Sequence, residues 1–378
     1  MTPTVKDMVE LLTTFAPGGL AETWDNVGLQ IGDPGWPVET AWVALDPLPD
    51  VIDAACQAGV HLLITHHPLI FKPLSSIDFS EETGRIISLS VKHRLAVLSA
   101  HTNLDSTVGG LNDIAADLCG MVDLRPLVPA AGEDIVKLVV TVPDGYDSAI
   151  VTAIAGTPAG RIGPYTGCTF RSPGIGTFTP DADARPFSGK PGEASQAAEY
   201  RLEMVSPRRH VEDVVRRIQK VHPYETMAYD VYPLESPPTA AGLGRVGRLD
   251  TPQRLDDYAA ALARRFDTDG ARIVGEPGMM VKTAAVCTGS GGSLMEDFLR
   301  SGADVFISGD VRYHDARRIE MAGKALIDLG HFASEIIFAR PLAEHMTAAA
   351  MQLGFHVTIT PCQIETDPFR PLAGRQDG

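Results

Sequence analysis

The sequence predicts an α/β body interrupted by an inserted α+β domain, and three observations predict it. Short apolar strands alternate with helical patterns over residues 42–120, the signature of a parallel sheet with crossover helices. The same rhythm resumes after about residue 240. Between the two stretches the order becomes strand–helix–strand–strand–helix–strand, which is ferredoxin-like. At 378 residues, the chain is also longer than one compact core of common size requires.

The chain opens with a short amphipathic helix that puts Val5, Met8, Val9, Leu12 and Phe15 on one side. WVALD (42–46) reads as a strand, 51–58 as a helix, HLLIT (61–65) as a strand, 83–92 as a helix and LAVLSA (95–100) as a strand. In the middle, VKLVVTVP (136–143) leads to a helix over 147–155, then to GCTFRSP and IGTFTP, which read as a hairpin. A Gly/Pro/Ala-rich excursion, PDADARPFSGKPGEASQ, precedes strand RLEMVSP (201–207). Val211, Val214, Val215, Ile218 and Val221 give one helical stripe, and MAYDVYPL (227–234) closes the insert. SPPTAAG (236–242) marks the exit. Beyond it come a helix over 254–265, strand TAAVCTG (283–289), a helix from Ser293, strand DVFIS (304–308) and a helix over 314–321. Strand ALIDL (325–329), a long helix over 335–353 and strand HVTIT (356–360) complete the chain, and Pro341 demands a kink or a later start in that helix.

A formal net charge of -16 argues against a nucleic-acid backbone or an anionic membrane as the main partner. Arg208-Arg209 and Arg216-Arg217 read as the solvated face of a helix. The five cysteines, Cys56, Cys119, Cys168, Cys287 and Cys362, are scattered and never form a Cys-x-x-Cys pair. That pattern fits reduced thiols in a cytosolic protein. The first residues lack a basic region followed by an apolar core, and no apolar run approaches membrane-spanning length. The expectation is a soluble, cytoplasmic protein.

Four polar clusters fall where strands of the outer body end or nearby: Asp25-Asn26 in WDNVGLQIG, His66-His67 in ITHHPLI, His101 with Asp105 in SAHTNLDS, and His331 with Glu335 in DLGHFASE. In α/β sheets functional groups gather at the carboxyl ends of strands. Imidazole and carboxylate together suit Zn, Mn, Fe or Ni. Two adjacent histidines on a strand would point to opposite faces. Once the chain has left the strand, with Pro68 biasing His67 to an extended conformation, they can address two ions a few ångströms apart. His331 and Glu335, four residues apart, share a helix face. Singly, each residue also has a structural reading: a hydrogen-bonded strand-end histidine, a turn cap at Asp105, a first-turn carboxylate at Glu335. The loop CTGSGGSL (287–294) reads equally as a phosphate cradle or as a tight turn. There is no HExxH, no GxxxxGK[ST] and no GxSxG. Asp310 and His314 follow a strand without a decisive role, and His222, Tyr224 and Glu225 read as a stitch from helix to sheet or to a neighbouring subunit.

The blocks WDNVGLQIG, ITHHPLIF, SAHTNLDS, SGDVRYHDA and DLGHFASE, in this order, resemble the Nif-three-like family, whose members are often labelled GTP cyclohydrolase 1 type 2 homologues. The resemblance implies an α/β body of two related halves, 1–126 and 239–378, a toroidal homohexamer, and a dinuclear metal centre facing its cavity. It places the metal ligands at His66, His67, Asp105, His331 and Glu335, with His101 beside the ions as a candidate proton carrier. HPYETMAYDVYPL and CTFRSPGIGTF resemble an inserted domain of the PII/CutA type over 127–238. The function implied is a metal-dependent hydrolase with two divalent ions per subunit, acting on a small phosphorylated or nucleotide-like molecule held in the metal cavity. The alternative is a non-catalytic metal-binding regulatory or scaffold protein whose insert binds a metabolite or partner.

Overall fold

The computed structural model describes residues 1–130, 134–235 and 239–370. They form two compact units: Met1–Ala130 joined with the segment from Ala240 onward, and Ala131–Thr239.

The first unit contains two sheets. One runs in the order Gly28–Ile31, Ala96–Ser99, Leu62–Thr65, Thr40–Ala44, Thr358–Pro361. Its last four strands are parallel to one another, whereas Gly28–Ile31 is antiparallel to Ala96–Ser99. Leu62–Thr65 and Ala96–Ser99 are buried at every position, as expected of strands covered on both faces. Leu62 and Ile64 join a core with the helices Val5–Phe15 and Ala339–Gln352, while Leu63 joins a separate core with Pro49–Gln57 and Glu82–His93. The two-residue alternation of a strand sends neighbours to different layers.

The second sheet runs Arg272–Val274, Ala325–Asp328, Val305–Gly309, Met280–Ser290, Gly242–Arg254, Met121–Pro129. Only the pairs made by Val305–Gly309 are parallel; the outer pairs are antiparallel. The all-parallel arrangement expected from the strand–helix rhythm is therefore corrected to two mixed sheets. The unanticipated strands GLQI, MVDLRPLVP and GLGRVGRLDTPQR carry Gly, Pro, Arg or Asp in place of unbroken apolar runs. Met121–Pro129, lying at a sheet edge, tolerates Pro126 and Pro129 there.

The long C-terminal helix starts late, as Pro341 allowed. A short helix His331–Glu335 and a tight turn Ile336–Phe338 precede Ala339–Gln352, so Pro341 sits in the first turn, where no N–H is needed.

In the second unit, strands Ile135–Pro143, Phe170–Phe178, Ser195–Pro207 and Tyr229–Pro233 alternate with helices Asp147–Ala153 and Val211–Gln219. The sheet order is Phe170–Phe178, Ser195–Pro207, Ile135–Pro143, Tyr229–Pro233, antiparallel throughout. Val211, Val214, Val215 and Ile218 pack on Val136, Leu138, Val140 and Val142, but Val221 lies past the helix end and is 39% exposed. The expected hairpin within 167–180 is not formed. FRSPGIGTF is one edge strand paired along its length with Ser195–Pro207. An edge position accommodates both Pro173 and the two glycines, so the turn moves out to 179–194. Among the described residues, no helix is long and apolar enough to cross a membrane.

Candidate metal centre

Three strand ends deliver the expected side chains. Leu62–Thr65 runs out into His66-His67, Ala96–Ser99 into His101 and the short helix Thr102–Ser106, and Ala325–Asp328 into the helix His331–Glu335. Past Thr65 the chain is still tied down: His66 N–H donates to Ala44 O at 3.1 Å, His67 N–H to Leu45 O at 2.9 Å, and Thr65 Oγ1 to His67 O at 2.8 Å. Outside the pleat, the two rings are no longer sent to opposite faces, and their centroids lie 5.2 Å apart.

Glu335 is the meeting point. Its Oε2 lies 3.0 Å from His67 Nε2 and 3.0 Å from His331 Nε2, and its Oε1 lies 3.7 Å from His66 Nε2. Asp105 Oδ1 is 3.7 Å from the same His66 nitrogen, and His67 Nε2 is 3.4 Å from His331 Nε2. His66 is fully buried and Glu335 is 4% exposed.

Each histidine is held from behind through Nδ1. His66 Nδ1 lies 3.0 Å from Ala100 O, His67 Nδ1 2.7 Å from Asp46 Oδ1, His331 Nδ1 2.8 Å from Asp310 Oδ2, and His101 Nδ1 2.9 Å from Asp25 Oδ1. These acceptors fix the Nδ1–H tautomer and leave Nε2 as the basic nitrogen, the arrangement usual behind metal-binding imidazoles. Asp25 is fixed in turn by Thr102, whose N–H and Oγ1–H donate to Oδ2 at 3.0 and 2.5 Å. Burial would raise its pKa, but His101 and Thr102 prevail and bring it down to about 2.

The donor set fits divalent ions. His66 Nε2, Asp105 Oδ1 and Glu335 Oε2 are buried and make no hydrogen bond, the short approaches to Oε2 lacking hydrogen-bond geometry. Orphaned buried polar atoms are costly, and three converging on one place match the needs of a cation. Two overlapping triads, His66/His67/His101 and His67/His331/Glu335, each keep their donor atoms within 4.8 Å. Without ions the cluster neutralises itself. Burial disfavours a charged His67, yet Asp46 and Glu335 carry its pKa up to about 10. The Glu335 carboxylate beside its Nε2 raises His331 to about 9. Burial brings Asp105 up to about 6. Glu335, despite its burial, is held well below the carboxylate range by His66, His331 and His67. Divalent ions displace such protons when they bind.

The loop 287–294 contributes space beside Glu335. Three of its amides are bonded within the protein: Thr288 N–H to Asn112 Oδ1 at 3.1 Å, Gly289 N–H to Ser334 Oγ at 2.9 Å and Gly291 N–H to Ser308 Oγ at 3.0 Å. Gly289 has φ +59°, and any Cβ there would collide with the Glu335 carboxylate. Sequence reasoning missed Asp46 and left Asp310 without a role, although both lie one or two residues past a strand end, where the other clusters were found. His314 is exposed and outside the cluster. Also missed were Trp24 and Phe71, 56% and 48% exposed, whose rings lie 5.8 Å apart with Trp24 6.1 Å from His101.

Fold and site together define a mixed α/β protein with a buried imidazole–carboxylate cluster suited to divalent ions. The chain belongs to the Duf34/NIF3 (NGG1p interacting factor 3) family, whose model matches residues 3–368. It is 38% identical over 96% of its length to a Bacillus subtilis protein named GTP cyclohydrolase 1 type 2 homolog, covering 97% of that relative. It is 34% identical to the Mycobacterium tuberculosis protein of the same name, over 98% of this chain and 97% of the other. Among solved structures, a Bacillus cereus protein related to NIF3 superposes with a TM-score of 0.73 at 34% identity, covering 98% of this chain and 100% of that one. A Staphylococcus aureus protein superposes with a TM-score of 0.82 at 28% identity, with the same coverage.

Proposed function

We propose that the protein is a dinuclear metal-dependent hydrolase of a small phosphorylated or nucleotide-like molecule. The observation that carries this reading is the convergence of orphaned buried donors on Glu335. His66, His67, Asp105, His331 and Glu335 are assigned as ligands of two divalent ions of the Zn, Fe, Mn or Ni class, with Glu335, in reach of three imidazoles, as the shared ligand. Bound ions of this kind supply Lewis acidity and activate water. His101, oriented by Asp25, presents Nε2 to take a proton from water and return it to the leaving group. Trp24 and Phe71 offer an exposed aromatic surface beside His101, which favours a planar heterocycle as part of the substrate. The relatives' name, GTP cyclohydrolase 1 type 2 homolog, points to nucleotides as the first compounds to try. In the same reading the ligand set lines the cavity of a cytoplasmic homohexamer. The segment 127–238 is a ferredoxin-like insert of the PII/CutA type between halves 1–126 and 239–378.

The test is metal analysis by mass spectrometry together with a hydrolysis panel of phosphoesters, nucleotides and cyclic amides, on wild type and Glu335→Ala. Two ions per chain and turnover of at least one compound are expected, both lost in the variant. A variant that keeps both ions refutes the ligand assignment, and a metal-loaded wild type inert across the panel refutes the hydrolase.

A further inference from the structure

The second unit carries a half-open cavity of about 350 Å³, in the size range of small-molecule sites. The segment 179–194, joining the two long strands, folds back to roof it. Phe187 meets Tyr146 and Tyr224 with ring centroids 5.6 and 5.8 Å apart, and Arg185 N–H donates to Glu225 Oε1 at 2.9 Å. Phe178, Pro180, Pro186 and Phe187 give the cavity apolar walls, and Glu199 and Tyr224 are among its polar groups.

Glu199 is the unusual member. It is 8% exposed, yet among the described residues no cation pairs with it. Among the described residues its side chain has one hydrogen bond, from Tyr224 OH to Oε1 at 2.6 Å. Oε2 lies over Gly176, where a Cβ would collide with it, so glycine at 176 makes room for the carboxylate. His222, an imidazole close enough to feel the charge of Glu199, is not its counter-charge. His222 Nε2–H donates to Thr141 O at 2.9 Å, Nδ1 accepts from Tyr224 N–H at 3.2 Å, and burial pushes its pKa down, so it stays neutral. Oε1 is taken by the tyrosine hydroxyl, and among the described residues the carboxylate lines the cavity with no protein cation beside it. A ligand can bring that cation.

We infer that this cavity binds a small organic cation, its flat apolar body between Phe178, Phe187 and the prolines and its ammonium or amidinium group on Glu199. Charge-assisted hydrogen bonds to the carboxylate and cation–π contact with the flanking rings are the recognition chemistry. The site is separate from the metal cluster in sequence and in ligand class.

The test uses the full metal-loaded chain with phenethylamine and benzamidine as probes and phenethyl alcohol as the neutral control, read by calorimetry and saturation-transfer NMR. Both cations are expected to bind and the alcohol not, with no change after chelator treatment. Glu199→Gln, checked for folding by circular dichroism, is expected to weaken binding roughly tenfold or more. Ala184→Trp, which fills the cavity from the surface segment and leaves the carboxylate intact, is expected to abolish it. Failure of both cations to bind, equal binding of the alcohol, loss of binding on chelation, or indifference to Glu199→Gln each overturns the inference.

Discussion

Gly289→Ala isolates the geometry of Glu335 without touching a ligand. A Cβ at residue 289 would stand 2.8 Å from Glu335 Cδ and 3.4 Å from His331 Nε2. Carbon atoms in contact prefer ~3.5–4.0 Å, so the carboxylate must retreat by roughly 1 Å. Displacements of that size at a reacting centre cost on the order of 100-fold in rate. A disturbed ligand environment lowers metal affinity by about 10–100-fold. The left-handed backbone, φ +59°, adds about 1–2 kcal/mol of strain for any L-residue. The expected variant is folded, a few degrees less heat-stable, and depleted of metal after dialysis against a weak chelator. Metal content by mass spectrometry, circular dichroism and turnover on the panel's best compound read the three effects. A Gly289→Ala protein that retains both ions and full turnover would show that Glu335 does not hold metal from its observed position.

Asp46→Asn and Asp310→Asn, which remove the carboxylates behind His67 and His331, are expected to lower metal affinity about 10–100-fold, measured by competition with a chromogenic chelator. Asp25→Asn is expected to reduce turnover while leaving metal content unchanged, because its partner His101 is assigned to proton transfer; parallel metal loss would overturn that role. Arg245, 1% exposed, pairs with Asp113 at 2.5 Å and donates to Gly242 O, Gly244 O and Thr107 O. Arg245→Ala takes the buried cation from Asp113 and a donor from each of those carbonyls, and is expected to cost about 3–5 kcal/mol in urea denaturation. Of the cysteines, Cys119 is buried and its thiol is pushed up to about 12 by that burial, so native-state alkylation followed by peptide mapping is expected to mark Cys168 well before Cys119.

What was legible in the sequence followed burial. Leu62–Thr65, Ala96–Ser99 and Ala325–Asp328 are wholly buried, so their apolar runs announced both the strands and the polar residues after them. Gly28–Ile31 and Met121–Pro129 are partly exposed strands paired on one side only, and nothing in a single local window separates them from loops. FRSPGIGTF failed for a related reason: Pro-Gly reads as a turn unless the edge position of the strand is known. Asp46 and Asp310 were hidden because a carboxylate behind an imidazole is recognisable only once the two are in contact, and those partners lie 21 residues apart in both cases. Gly289 could not be read at all, since its reason is the carboxylate of a residue 46 positions later.

The exchange of strands between the two sheets has a consequence for how the protein is made. Thr358–Pro361 closes the sheet that carries His66 and His67, and Met121–Pro129 borders the sheet that carries His331. During synthesis, which runs at about 5–20 residues per second, the first sheet waits for nearly the whole chain to emerge. The sheet of the insert needs nothing beyond Pro233 and can close earlier. His331 and Glu335 are themselves made late, so a nascent chain that ends before residue 331 lacks two of the five assigned donors.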